Sequence, residues 1–377
     1  AYAPCGSGDH VYLRIEKRGM TTMEAVRSVA RALGVRPRDV GVAGHKDARG
    51  VARQLVSVEH ADPRAAERIA SPGLRVLEVS RHGNKLRTGH LRGNRFVLRL
   101  RGIDLGRVDD LEARLTRAAA RGVPNYYGPQ RFGARGDTWE VGRALVRGEH
   151  AAAARLICGD PRPEDDAASR RARELYEAGR FEECAAAWPR GMRDSARLAR
   201  AVARRPDDPR RAVLAVDRRL LSLYVSALQS RVFNDVVAAR LDSLGTVRAG
   251  DLAHKHENGA VFCVEDAVVE QPRADRFEIS PTGPMPGKRM KRPAGEPAEI
   301  EARALVEAGV SAGDFPSLGP LKCAGGRRPL RFCPFDARVA TGRDEHGPYI
   351  ELAFGLTPGT YATALLRELC GGSVRGL

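Results

Sequence analysis

Short runs in which apolar and polar residues alternate stand towards both ends of this chain, and helical patterning fills its middle. Side chains along a strand point to opposite faces in turn, so such alternation marks half-buried strands. The runs are His10 to Lys17, Val51 to Val58, Leu74 to Val79 and Arg95 to Leu100, with Val261 to Val264, Arg328 to Phe332 and Tyr349 to Phe354 later on. From about Thr138 to Pro209 alanine and arginine dominate, in several short helices interrupted by the linker-like Asp160-Pro161-Arg162-Pro163-Glu164. The longest helical pattern follows, from about Arg211 to Leu244, with Leu220, Tyr224, Leu228, Val232 and Phe233 on its apolar stripe. Gln229, Ser230 and Asn234 break that stripe, so this helix is expected to do more than pack. The pattern predicts a mixed α/β chain with room, at 377 residues, for two or more domains.

Local signals place the remaining elements. Thr21 and Glu24 form a capping box for a helix that Gly34 ends. Pro63 to Ala70, Val108 to Arg121, Glu296 to Gly309 and Ala362 to Leu369 are predicted helices, and Pro281 to Gly295 a Pro/Gly/Lys/Arg loop. Asp165-Asp166 and Asp207-Asp208 are expected to be solvated turns.

The charge balance narrows the partners. The net charge is +16, and 56 of the 63 cationic residues are arginines. A guanidinium fork matches phosphate geometry and stacks on bases, so a polyanion such as RNA is the leading partner. No apolar run is long enough to span a bilayer. Seven cysteines without a CxxC pair point to reduced thiols and a cytoplasmic setting.

Three stretches carry chemistry. Gly44-His45-Lys46-Asp47-Ala48-Arg49-Gly50 holds a carboxylate between two cations, just before a strand that contains Gln54. Alone, such an aspartate often makes only an Asx-type turn. Asn125-Tyr126-Tyr127-Gly128-Pro129-Gln130-Arg131-Phe132-Gly133 gathers three aromatics, two amides and an arginine in a loop, the set needed to stack a base and read its edge. Arg81 to Asn94 is a glycine-punctuated basic loop suited to phosphates. His254, His256 and Cys263 match no common zinc spacing, and no P-loop, dinucleotide fingerprint or nucleophile elbow occurs.

Gly44-His45-Lys46-Asp47 resembles the Gly-x-Lys-Asp motif of the TruD family of tRNA pseudouridine synthases. The Asn125 to Gly133 stretch is similar to that family's Asn-Tyr-(Phe/Tyr)-Gly-x-Gln-Arg-Phe-Gly signature. Leu356-Thr357-Pro358-Gly359-Thr360-Tyr361-Ala362-Thr363-Ala364-Leu365-Leu366-Arg367-Glu368 resembles its C-terminal motif. Ile15-Glu16-Lys17-Arg18-Gly19, Leu228 to Asn234 and Pro281 to Pro284 are weaker echoes, in family order. His45 stands where an apolar or amide residue is commoner, and reads as a half-exposed turn histidine.

The resemblance implies a pseudouridine synthase fold, a mixed and mostly antiparallel sheet with flanking helices. It implies a discontinuous catalytic domain, residues 1–150 and 328–377, with a family-specific TRUD domain inserted at 151–327. The expected activity is isomerisation of uridine, at position 13 of tRNA, without cofactor, metal, membrane or obligatory protein partner. Asp47 would be the catalytic carboxylate, acting as nucleophile or as the base of an elimination route. The uridine would be flipped out, at about a few kcal/mol, and stacked on Tyr127 and Tyr361. Asn125 would position the base or Asp47, and Lys46 would contact substrate. Gln130, Arg131 and Phe132 would brace their loop, with Arg131 able to reach a phosphate, and Arg367 would bind phosphate or pair near Glu368. The family's N-terminal Phe-x-Val-x-Glu stretch, with a basic residue near the carboxylate, has no counterpart here; the chain opens at Ala1-Tyr2-Ala3, just past its place. Truncation or loss of part of the site is the expectation there. The alternative reading is an RNA-binding protein or folding factor that keeps the cleft but is catalytically impaired.

Overall fold

The strand that everything in the N-terminal region packs around is β1 (His10–Arg18), central in a five-stranded antiparallel sheet. The computed structural model describes residues 4–315, 321 and 323–371; the opening Ala1 to Ala3 lie outside them. The chain divides into two compact units, Ala1–Phe96 with Gly355–Gly359, and Val97–Phe354 with Thr360–Leu377.

In the first unit α1 (Thr22–Ala32) begins at the expected capping box: Thr21 Oγ1 accepts from Glu24 N–H at 3.2 Å, and Thr21 N–H donates to the Glu24 carboxylate at 2.7 Å. β2 (Val40–Val42) and β3 (Val51–Glu59) lie on one side of β1. After the short α2 (Pro63–Glu67), β4 (Ala70–Ser71) and β5 (Leu74–His82) complete the other side. The helix at Pro63 stops earlier than its pattern predicts because Ala70 and Ser71 pair with β5. Val11, Leu13 and Ile15 meet Val26, Val29, Val56 and Val58 in one core, each large apolar side chain contributing roughly 1.5–3 kcal/mol by burial.

The division between units falls within β6 (Asn94–Leu100). Beyond it run α3 (Val108–Arg121) and β7 (Val123–Pro124). A helical region follows: α4 (Thr138–Val146), α5 (His150–Cys158), α6 (Ala167–Glu177), α7 (Phe181–Ala187), α8 (Arg193–Arg204), α9 (Pro209–Leu214) and α10 (Arg218–Ala239). The long helix predicted from Arg211 is thus two, because Asp217 caps a new start by accepting from Arg219 N–H at 2.7 Å. Leu198, Leu221, Leu228 and Phe233 centre the core of this unit. β8 (Leu252–Lys255), β9 (Val261–Cys263), α11 (Ala267–Asp275) and β10 (Ile279–Met285) come next. The chain ends with α12 (Gly295–Glu307), β11 (Gly326–Pro329), β12 (Arg331–Phe332), β13 (Phe335–Asp344), β14 (Gly347–Leu356) and α13 (Ala362–Cys370). These strands form a four-stranded sheet β11-β10-β8-β9, a β12-β7 pair and a three-stranded sheet β13-β14-β6.

Two further expectations need correction. Pro281 to Met285, read as loop, belong to an inner strand: β8 pairs with its first three residues and β11 with its last four, so neither proline interrupts one continuous ladder. Asp165 is not solvated; its side chain is buried beside Arg135 and Arg173, while Asp166 caps α6. Among the described residues no helix is long and apolar enough to cross a membrane.

Candidate active site

Asp47 stands exposed on the irregular turn between β2 and β3. What shapes that turn is Lys17, wholly buried at the end of β1. Its ammonium donates to three carbonyls, Met20 at 2.7 Å, Lys46 at 3.3 Å and Asp47 at 2.5 Å. Burial pulls the Lys17 pKa down, and the negative charge of Asp47 opposes that. A second residue, the buried Thr22, fixes the same turn: Lys46 N–H donates to its hydroxyl at 2.8 Å, and Gln54 Oε1 lies 3.2 Å from it. Lys46 reaches the other way, donating to Asn94 Oδ1, and burial lowers its pKa too. The basic loop after β5 is tied in through Gly89 N–H, which donates to the Ala43 carbonyl at 3.1 Å, and through the buried Leu86. Arg87 and Arg92 on that loop are exposed and make no ion pair among the described residues. The turn therefore presents a carboxylate to solvent, with its backbone pinned from below and cations around it.

On the opposite face of β1 the buried Glu16 gathers Arg53, Arg75 and Arg18 at 2.9, 3.0 and 3.2 Å. Hydrogen bonds from Arg53 first, then Arg75 and Arg18, hold its carboxyl down at about 2.

The aromatic loop of the second unit is built differently. Asn234, on α10, clamps Tyr127 by its backbone: Tyr127 N–H donates to Asn234 Oδ1 at 2.9 Å and Asn234 Nδ2 donates to the Tyr127 carbonyl at 3.0 Å. The Tyr127 ring meets Phe233 edge-on at 5.7 Å and Tyr361 at 5.8 Å, and its hydroxyl approaches Met285 Sδ at 3.6 Å. A side chain on Gly283 would collide with Phe233, so glycine there lets β10 close on this ring. The Arg328 guanidinium stands 4.2 Å over Tyr127 and donates to Asn125 Oδ1 at 2.5 Å. Its Nε is buried with no protein partner among the described residues.

Buried Asn125 spends its amide N–H on the Pro329 carbonyl at 2.9 Å. Arg131 is braced on α10, donating to Ser230 at 3.1 Å and Ser226 at 2.5 Å. Phe132 is half-buried, Gln130 exposed, and Arg367 exposed near Tyr126, whose pKa burial raises and Arg367 pulls back. The structure thus brings Asn125, Tyr127, Arg131 and Tyr361 together in one unit, and Lys46 with Asp47 in the other.

The sequence assigns no site role to Lys17, Asn94 or Arg328, although Lys17 lies in a weaker family echo and Asn94 ends the basic loop. Lys17 had a signal: it follows Val11, Leu13 and Ile15 at the same parity, so a lysine falls on the apolar face. His254 and His256 are structural. His256 stacks on Phe277 at 4.5 Å, lies 2.8 Å from the Ser280 hydroxyl, and is pushed down to about 4 by burial.

A family model described as tRNA pseudouridine synthase D (TruD) matches residues 1–369. The chain belongs to that family. It is 47% identical to the tRNA pseudouridine synthase D of Geobacter metallireducens, over 98% of this chain and 91% of that one. The enzyme of the same name from Anaeromyxobacter dehalogenans strain 2CP-1 is 42% identical over 99% of this chain and 88% of its own. A solved structure from Methanosarcina mazei, assigned as tRNA pseudouridine synthase D (TruD), matches with a TM-score of 0.83 at 27% identity, covering 98% of this chain and 89% of that one. The TruD-family fold is accordingly the mixed, mostly antiparallel architecture described above.

Proposed function

We infer that this protein isomerises uridine in tRNA to pseudouridine, with Asp47 as the catalytic carboxylate. The C1′–N1 bond of the nucleoside breaks, the uracil turns, and a C1′–C5 bond forms, while C5 gives up a proton and N1 gains one. Asp47 serves as nucleophile at the sugar or as base in an elimination route; either role needs an ionised, accessible carboxylate. The observation that carries this assignment is Lys17: a buried ammonium spent wholly on the carbonyls around Asp47 shapes the turn while leaving the carboxylate exposed.

Tyr127 and Tyr361 are proposed as the stacking faces of the flipped uracil, each worth roughly 1–3 kcal/mol. Planar Arg328 adds a cationic face and a buried Nε–H that suits a uracil carbonyl or a phosphate. Asn125 acts by holding Arg328, and Arg131, Gln130 and Phe132 by bracing the loop. Lys46 contacts substrate beside Asp47, and exposed Arg367 contacts phosphate. No step calls for a cofactor. Residues 1–150 and 328–377 are proposed as the catalytic domain, with 151–327 as the insertion, and uridine 13 as the target. No observation favours the binding-only alternative.

Incubating the purified protein with unmodified tRNA transcript and mapping pseudouridine tests this. One pseudouridine, at position 13, is expected. Tight tRNA binding without product would overturn the enzymatic reading, and product at another uridine would overturn the site.

A further inference from the structure

Beside the Tyr127 cluster lies a cavity of about 350 Å³, lined by Ser222, Val225 and Gln229 of α10, by Met285, and by Cys323 to Gly326. That size is within the range of small-molecule sites. Met285 also faces the Tyr127 hydroxyl, so one side chain separates the cavity from the proposed uracil platform. Gln229 is one of the polar residues that break the apolar stripe of α10. Its Nε2 donates to the Pro286 carbonyl at 2.7 Å and to Cys323 Sγ at 3.0 Å. A carbonyl can only accept, so this fixes which end of the amide is nitrogen. Gln229 Oε1 is then left as an acceptor with no protein donor among the described residues.

The rim is cationic. The loop after β10 is fastened to the cavity wall by Lys288 N–H to the Cys323 carbonyl at 3.0 Å and Arg289 N–H to the Ala324 carbonyl at 2.8 Å. Lys288 and Arg289 are exposed and form no ion pair among the described residues, whereas Lys291 Nζ donates to the Val261 carbonyl of β9 at 3.3 Å. A cavity wide enough for a base, a lining residue with an unfilled acceptor, and two exposed cations beside its wall match a nucleotide with its phosphates.

We propose that this cavity is a second nucleotide subsite for the tRNA, taking an unpaired base with an amino group that donates to Gln229 Oε1, next to the reacting uridine. It deepens the function proposed above and rests on it. The subsite would make selection of the target depend on a neighbouring base as well as on the uridine.

Two variants test it by steady-state kinetics on unmodified tRNA. Gln229→Met keeps the length of the side chain and removes the acceptor together with the Nε2 donor to Pro286 and Cys323; Gln229→Glu, which loses the same donor but keeps an acceptor oxygen, should hold KM nearer the wild-type value if the acceptor is what counts. Gly326→Leu fills the cavity; its backbone is not in the left-handed region, and a Cβ there meets nothing within 4 Å. Gln229→Met and Gly326→Leu should each raise KM roughly tenfold, the effect of one lost hydrogen bond in a binding site, with turnover at saturating tRNA within about threefold of wild type. Thermal melting screens both, and if Gly326→Leu melts early, Gln229→Met decides alone. A wild-type protein that forms no pseudouridine would overturn the function itself. An active wild type with KM unchanged in the folded variants would overturn only the subsite.

Discussion

The Asp47 turn and the Tyr127 loop solve opposite problems. The turn leaves the proposed catalytic side chain exposed and is shaped through its backbone, by a buried ammonium and the hydroxyl of Thr22. The loop has the proposed stacking residue, Tyr127, gripped on several sides, by Asn234, Phe233, Tyr361 and Arg328. A reacting carboxylate needs freedom to meet the sugar, whereas a stacking face gains from being held rigid before substrate arrives. The difference teaches that the residues fixing position are not those to which the proposal gives the chemistry.

Lys17→Met should break the first arrangement most severely. It leaves three carbonyls without their shared donor, and pseudouridine formation should fall about a hundredfold through misplacement of Asp47, measured in single turnover. Near wild-type rates would remove Lys17 from its positioning role. On the other side, Arg328→Leu should cost about tenfold or more in kcat/KM, since it deletes both the cation over Tyr127 and the buried Nε–H. Asn234→Ala should be milder. It removes two hydrogen bonds to the Tyr127 backbone, each about 0.5–1.5 kcal/mol, and should show chiefly as a lower Tm and a raised KM.

The smallest effect is one of pH. Because the Glu16 carboxyl is held at about 2, below its unfolded value, its stabilisation is complete above about pH 4.3 and is lost as pH falls towards 2. Thermal melting between pH 5 and about 2 should show a steeper decline for wild type than for Glu16→Gln. Equal slopes would contradict the assignment.

The residues proposed for the chemistry were legible in the sequence because they lie in contiguous motifs: Asp47 in its Gly-x-Lys-Asp stretch, Tyr127 and Tyr361 each in a longer signature. The supports were not, because their partners arrive by tertiary register. Lys17 meets Asp47 from 30 positions away, and Arg328 meets Asn125 from 203. Alternation exposed β1, β3, β5 and β6, whereas β10 was hidden by prolines and β13 by its mostly polar, exposed face. Asp217 split a helix that periodicity alone ran together. Gln229, Ser230 and Asn234 did announce themselves on α10, and each holds a loop or lines a cavity.

Asp47→Asn addresses the central claim most directly, because it keeps the size of the side chain and removes its charge. With unmodified tRNA, pseudouridine formation should be abolished while the Kd for tRNA stays within about twofold of wild type, as expected when an interaction acts in the transition state and not in binding. Turnover near the wild-type rate would take the catalytic role away from Asp47.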